Sequence, residues 1–404
     1  MLILKSSQPK ARMYMDNKYD FSDIAPFDDS QFKEKMALLV KEPGFENAVK
    51  FVLPDVDYTE FAQQLLKVDN KNDFQLNVMG PFLEMLAART TKGITGVGFD
   101  RLSNDTAYTF LSNHRDIVLD ASFLNLCLIK HGMPTSEVAI GNNLLIYEWI
   151  TDLVKLNKSF IVKRNLRLTK ALEAARQLSA YIHYAIGTKH ESVWIAQREG
   201  RAKDSNDLTQ ESLVKMLGLE GPGTLIDNLQ AINICPVAIS YEYDPNDYLK
   251  AREFLLRRLD PEFKKTQRDD LFSMETGLLG FKGHVYFNVS PCINSNLENL
   301  RGITDKIELV KRVCTLIDNA IHAHYHIYGV NYIAADLLHG DRRYAVHYTA
   351  DEEASFCKYI DSQLDKVDIP DISDEDRRYM YEMMLTMYAN PLSNKQLAST
   401  HAEN

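Results

Sequence analysis

Between about residues 106 and 300, short runs rich in β-branched and aromatic residues alternate with amphipathic stretches of helix length, which restricts the chain to few architectures. The candidate strands are AYTFLS (107–112), EVAIG (137–141), SFIVKR (159–164), SVWIAQ (192–197), ICPVAISYEY (234–243) and HVYFNVS (284–290). Between the third and fourth, Leu168, Ala171, Leu172, Ala175, Leu178, Ile182 and Ala185 keep a 3.6-residue stripe, predicting a helix over 167–186. Strand and helix in repeated succession predict an α/β fold, a mostly parallel sheet flanked by helices.

On either side the pattern is helical. Residues 1–105 carry QFKEKMALLVKEP and YTEFAQQLLKV, broken by Pro and Gly, with no convincing strand. Residues 301–404 turn helical again and end in LSNKQLASTHAEN, expected to be a loose tail. The expected division is a helical N-terminal region (1–105), an α/β domain (106–300) and a helical C-terminal region (301–404).

Charge and cysteine usage narrow the function classes. The 46 Lys and Arg against 56 Asp and Glu leave a net charge of -10, so nucleic acid is not an expected partner and any contact with an anionic surface must be local. Cys127, Cys235, Cys292, Cys314 and Cys357 are scattered without CxxC spacing, which predicts reduced thiols and no Cys-bound metal. The start, MLILKSSQPKARMYMDN, lacks the long apolar stretch of a signal peptide, and no run approaches the ~18 apolar residues of a membrane span. A cytoplasmic location is expected, at most peripheral on the cytoplasmic face of the membrane.

In a parallel sheet, ligands gather outside the carboxyl ends of the strands. There the sequence places SNHRDIVLD (112–120). His114 precedes a helix, and Asp120, about one turn inside it, can fold back onto the imidazole. A carboxylate on one ring nitrogen fixes the tautomer and raises the basicity of the other, as a general base requires. The plainer alternative has Asn113 or Asp116 capping the helix and Asp120 pairing with Arg115. Lys163 and Arg164 after the third strand, and Arg198, Arg201 and Lys203 after the fourth, could form an anion pocket or could be solvated loop charges.

Two other features read as structural. GLEGPGT (218–224) lacks the preceding strand and the Gly-Lys-Ser/Thr of a phosphate loop and predicts a turn. His322, His324 and His326 invite a metal, but His324 falls on an apolar helix stripe and no third ligand is evident, so no metal is expected.

The residues resemble a known family. Asn113-His114-Arg115 with a following Asp, Ser159 to Arg164, Glu199-Gly200-Arg201, and Ile234-Cys235-Pro236-Val237 resemble, in order and approximate spacing, the four sequence blocks of the glycerolipid acyltransferases. The likeness is nearest the glycerol-3-phosphate acyltransferase branch of the superfamily that also holds the lysophosphatidic acid acyltransferases. PVAISYE (236–242) and GHVYF (283–287) resemble further parts of that branch, and the whole covers about 105–300. Two positions depart from the pattern. The family's Asp stands five after the His, whereas Asp120 is six and Asp116 two after His114; and Arg201 directly follows Gly200, where the family has one residue between.

The resemblance implies transfer of a fatty acyl group from a thioester, on coenzyme A or acyl carrier protein, to a hydroxyl of a phosphorylated glycerol. It implies His114 as base with Asp120 (or Asp116) orienting it, and Arg115, Lys163, Arg164, Glu199, Gly200, Arg201, Lys203 and Pro236 around the substrates. No cofactor is implied. Two alternatives remain: an acyltransferase for another acceptor such as an amine-bearing lipid, and a non-catalytic relative that binds membrane or acyl carrier. The basic stretch KAREFLLRRL (250–259) suits an acidic carrier, and Arg257, Arg258 and 261–281 a membrane face.

Overall fold

The computed structural model describes residues 19–402, so the N-terminal stretch read for a signal peptide lies outside the described residues. Seven strands form one sheet in the order β1-β7-β6-β2-β5-β3-β4. They are β1 (Gly93–Val97), β2 (Thr109–Ser112), β3 (Glu137–Gly141), β4 (Ser159–Val162), β5 (Val193–Ala196), β6 (Ile234–Tyr241) and β7 (His284–Val289). Every pairing is parallel except β6 with β7, and helices surround the sheet, with helical segments at both ends of the chain. The fold is α/β, as the alternation predicts.

All six predicted strands are present, some trimmed by a few residues. β1 is new: it falls within the region read as purely helical. GITGV is an edge strand that pairs only with β7, and its two glycines break the run of Ile94, Thr95 and Val97 and lower the strand propensity a sequence shows.

The sheet buries one apolar cluster on each face. One contains Leu111, Phe160, Val193, Ile195, Ile234 and Ala238; the other contains Phe110, Trp194, Cys235, Val237, Ile239 and Phe287. Alternate residues of one strand thus feed opposite clusters, as the two-residue repeat of a doubly covered strand requires. Two satellite clusters flank them. Phe32, Met36, Phe45, Val49 and Phe74 pack the N-terminal helices against Leu156, and Ile333, Phe356, Ile360, Met384 and Tyr388 pack the C-terminal ones against Ala251 and Leu255.

Two expectations change. The helix Leu168–Tyr184 buries only its second half: Leu178, Tyr181 and Ile182 are core, whereas Leu168 is 92% exposed and Leu172 51%. The stripe is continuous in sequence, but Leu168 and Leu172 in its first turns are left uncovered among the described residues, while Ala171 and Ala175 line a cavity. The tail expected to be loose is helical to Ala402, because Leu392 and Ala398 are buried and the Lys395 ammonium donates to the Tyr325 carbonyl at 2.6 Å. The last two residues of the chain lie outside the described residues.

Candidate active site

β2 ends at Ser112, in the middle of the sheet, and the residues that follow show why polar side chains are set into an apolar joint. Asn113 is fully buried, and its carboxamide donates to the Ile239 carbonyl (2.9 Å) and accepts from the Ile239 amide (2.8 Å). It continues the ladder to β6 by one side chain where the main chain turns away. Asp116 accepts from the amides of Val118 (2.9 Å) and Leu119 (2.8 Å), holding the chain where it enters the helix Leu119–Lys130.

Asp120, in that helix's first turn and fully buried, directs Oδ2 at three donors. His114 Nδ1 lies at 2.8 Å, the Arg115 amide at 2.6 Å and the Asp116 amide at 3.1 Å. A carboxylate only accepts, so the shared proton sits on Nδ1, and in the neutral imidazole the lone pair is then on Nε2. The extra residue between His114 and Asp120 is absorbed in the turn held by Asp116. Of the two carboxylates, Asp120 faces the imidazole. Trp194 meets the His114 ring edge to face at 5.7 Å, and its indole N–H donates to Ser112 Oγ at 3.0 Å. Tyr241 stands against both carboxylates; burial, then Asp120 and Asp116, push its phenol well above the ordinary range. Burial and Asp120 likewise raise Asp116.

His114 opens onto a cavity of about 860 Å³. Its apolar wall comes from the N-terminal helices (Phe45, Val49, Phe61 and Leu83), from Val118, and from Leu153 and Leu178. Lys163, Arg164, Glu199, Gly200, Arg201 and Lys203 line the same cavity, so the ends of β2, β4 and β5 are brought together. Arg115 and Pro236 are not in this wall. Arg115 is buried in an ion pair with Asp207 (2.6 Å) over the Tyr325 ring, and the Pro236 carbonyl accepts from the Ser290 hydroxyl (2.7 Å) inside the sheet.

Lys163 and Arg164 are each tethered. The Lys163 ammonium pairs with Asp23 and donates to Gln177 (3.0 Å), while Arg164 donates to Asn143 (3.3 Å) and lies 3.6 Å from Glu199. Arg201 differs: it is 7% exposed, forms no ion pair among the described residues, and its Nη1 has no hydrogen-bond partner. Lys203 pairs with Glu253 at 3.2 Å, and burial lowers it to about 8.

Several contributors were not legible in the sequence. The cavity's apolar roof is built by helices outside the four blocks, and Gly141 leaves room for Arg164, since a Cβ there would stand 2.8 Å from the guanidinium carbon. The three histidines serve the fold: His322 contacts the Asp207 carbonyl (2.7 Å), His324 the Ala320 carbonyl (2.7 Å), and His326 stacks on Tyr286. GLEGPGT is a turn ahead of a helix capped by Thr224. On KAREFLLRRL, Lys250 is buried against Asp244, Arg257 pairs with Glu253 and Arg258 with Glu375, so its charges are largely spent within the chain.

No family model matches the chain, and no curated protein matches it. Among solved structures, the chain is similar to the 1-acyl-sn-glycerophosphate (LPA) acyltransferase PlsC from Thermotoga maritima, at 14% identity and a TM-score of 0.36, over 71% of this chain and 94% of that one. A likeness of that degree assigns no residue a role. Among the described residues, no helix is long and apolar enough to cross a membrane.

Proposed function

We propose that the chain is an acyltransferase that moves a fatty acyl group from a thioester to a hydroxyl of glycerol-3-phosphate or 1-acylglycerol-3-phosphate. The observation that carries this reading is the His114–Asp120 contact of 2.8 Å opening onto a large apolar cavity whose rim holds a buried arginine that forms no ion pair among the described residues. The cavity suits an acyl chain, and the cationic rim suits a phosphate.

In the proposed reaction, His114 Nε2 takes the acceptor's hydroxyl proton as that oxygen bonds to the thioester carbonyl carbon. The C–S bond then breaks, and the departing thiolate receives the proton from the imidazolium. Asp120 holds the ring in place throughout and stabilises its charged form. Arg201, with Lys163 and Arg164 beside it, holds the acceptor's phosphate so that the hydroxyl approaches as if in a unimolecular step. An amine-bearing acceptor would use the same base, but it gives Arg201 nothing to bind. The assembled dyad favours turnover over a non-catalytic binding role.

Membrane contact is part of this proposal. We place it at Leu166, Leu168 and Leu172, exposed beside the cavity and interleaved with Arg167 and Lys170, in preference to the face around Arg257 and Arg258, whose charges are paired. The test is an acyl-transfer assay with purified protein, labelled acyl thioester and three acceptors: glycerol-3-phosphate, its 1-acyl derivative and an amine-bearing lipid. Transfer to neither phosphorylated glycerol would refute the assignment.

A further inference from the structure

A second cavity, of about 440 Å³, adjoins the first, and Arg201, Lys203 and Lys265 line both. Seven of its fifteen lining residues are Lys or Arg and three are acidic, in a chain whose net charge is -10. Concentration of one sign in a concave site focuses its field on a ligand of the other sign. Some of these cations are already neutralised: Lys203 by Glu253 (3.2 Å), Lys265 by Asp270 (2.9 Å) and Lys250 by Asp244. Among the described residues Arg201, Arg268 and Lys366 form no ion pair, although the Lys366 ammonium donates to the Gln363 carboxamide, and the buried Arg201 Nη1 has no hydrogen-bond partner. Three rings, Tyr248, Phe263 and Phe272, complete the wall, with the Lys366 ammonium 5.6 Å from the Tyr248 centroid.

Several unspent cations beside flat apolar rings fit a nucleotide bearing more than one phosphate: guanidinium forks match phosphate oxygens, and the aromatic faces accept a base. The volume is that of a small-molecule site. We propose that this second cavity seats the 3′-phosphorylated adenosine diphosphate of a coenzyme A thioester, with Arg268 and Lys366 on its phosphates and the pantetheine arm passing Arg201 and Lys203 toward His114. This rests on the acyl-thioester reading above and narrows it, because it makes the donor a free coenzyme A ester and not a carrier protein.

The experiment separates the two claims by measuring binding without turnover. Adenosine 3′,5′-bisphosphate is titrated calorimetrically into the full chain, with inorganic phosphate as comparator. Saturable binding is expected, at least about ten-fold tighter than phosphate, and Arg268→Ala with Lys366→Ala should weaken it by about ten- to a hundred-fold, as loss of charge-assisted contacts does. Both side chains are exposed, so melting temperatures should hold; Phe272→Ala is a second variant that tests the ring wall independently. If acyl transfer is present, the double variant should raise the KM for acyl-coenzyme A and leave that for acyl-pantetheine unchanged. No binding by wild type at millimolar bisphosphate, affinity equal to that for phosphate, or equal affinity in the variants would overturn the proposal. So would a phosphopantetheinyl carrier protein that binds without competition from the bisphosphate. Bisphosphate binding without any acyl transfer would leave this site standing and remove the proposed reaction.

Discussion

The turn after β2 and the basic loops after β4 and β5 face the same cavity but are held in opposite ways. At the turn, Asp120 Oδ2 takes His114 and two backbone amides within a single short stretch of chain, so the imidazole has one position. At the loops, the tethers arrive from far away: Asp23 for Lys163 and Glu253 for Lys203. A proton-transfer group gains from a fixed geometry, whereas an anion site can exchange internal partners for a ligand. The contrast teaches that the proposed chemistry is built locally and the proposed recognition is built by tertiary contacts.

The largest effect should come from breaking the local side. His114→Ala should lower kcat by about 10² to 10⁴-fold, the usual contribution of a general base, with the melting temperature little changed. Asp120→Asn should lose activity too and, because it disturbs two backbone amides as well as the imidazole, also stability. Asp116→Asn keeps an oxygen for the amides of Val118 and Leu119 and should retain turnover. Steady-state kinetics with thermal melts checks all three; an inactive Asp116→Asn beside an active Asp120→Asn would reverse the roles.

On the recognition side the effects should be graded by how much each cation is already engaged. Arg201→Ala should raise the acceptor's KM by about ten- to a hundred-fold, since it removes a buried guanidinium that forms no ion pair among the described residues and whose Nη1 lacks a hydrogen-bond partner. Lys163→Ala should change it by no more than about five-fold, because its exposed pair with Asp23 already competes for the charge. Equal effects from the two would erase the distinction. A shift smaller than that of Arg201→Ala is expected from Gly141→Ala, whose Cβ would stand 2.5 Å from Asn143 Oδ1 and 2.8 Å from the Arg164 guanidinium carbon. Displacing that guanidinium should raise the acceptor's KM about three- to ten-fold with kcat held; unchanged kinetics would show that Arg164 does not touch the acceptor.

The same division between local and distant partners explains what the sequence could tell. The His114–Asp120 pair joins residues six apart and six of the strands carry uninterrupted apolar runs of their own, and spacing and periodicity report such features directly. β1 was hidden because its two glycines interrupt Ile94, Thr95 and Val97 and weaken the strand signal in the sequence. The exposed start of the helix Leu168–Tyr184 was hidden for a related reason: an apolar stripe shows which face is apolar, not whether anything covers it. That Arg201 forms no ion pair among the described residues while Lys163, Arg164 and Lys203 do is a property of the assembled loops and has no sequence signature.

The smallest effect on activity, and the cleanest on stability, tests how the recognition loop is fastened. Thr209 donates its amide (2.7 Å) and hydroxyl (2.6 Å) to Asp318 Oδ1, tying the loop after β5 to the helix Lys306–Ala323. Burial raises Asp318 to about 6 from an ordinary 3.8, so between those values the folded protein holds a proton that the unfolded chain releases. Stability from this group is therefore present below about pH 4 and is lost as pH rises through about 6, by up to about 3 kcal/mol at one pKa unit per 1.4 kcal/mol. Asp318→Asn keeps the oxygen that Thr209 needs and cannot ionise. Denaturant unfolding of wild type and Asp318→Asn from pH 4 to pH 8 should give curves that separate across this window, the variant gaining relative stability as pH rises. Asp247, raised to about 6 by burial and by Asp244, is present in both proteins and cancels in the difference. A constant offset between the two curves would show that Asp318 does not titrate there and that the fastening is insensitive to its charge.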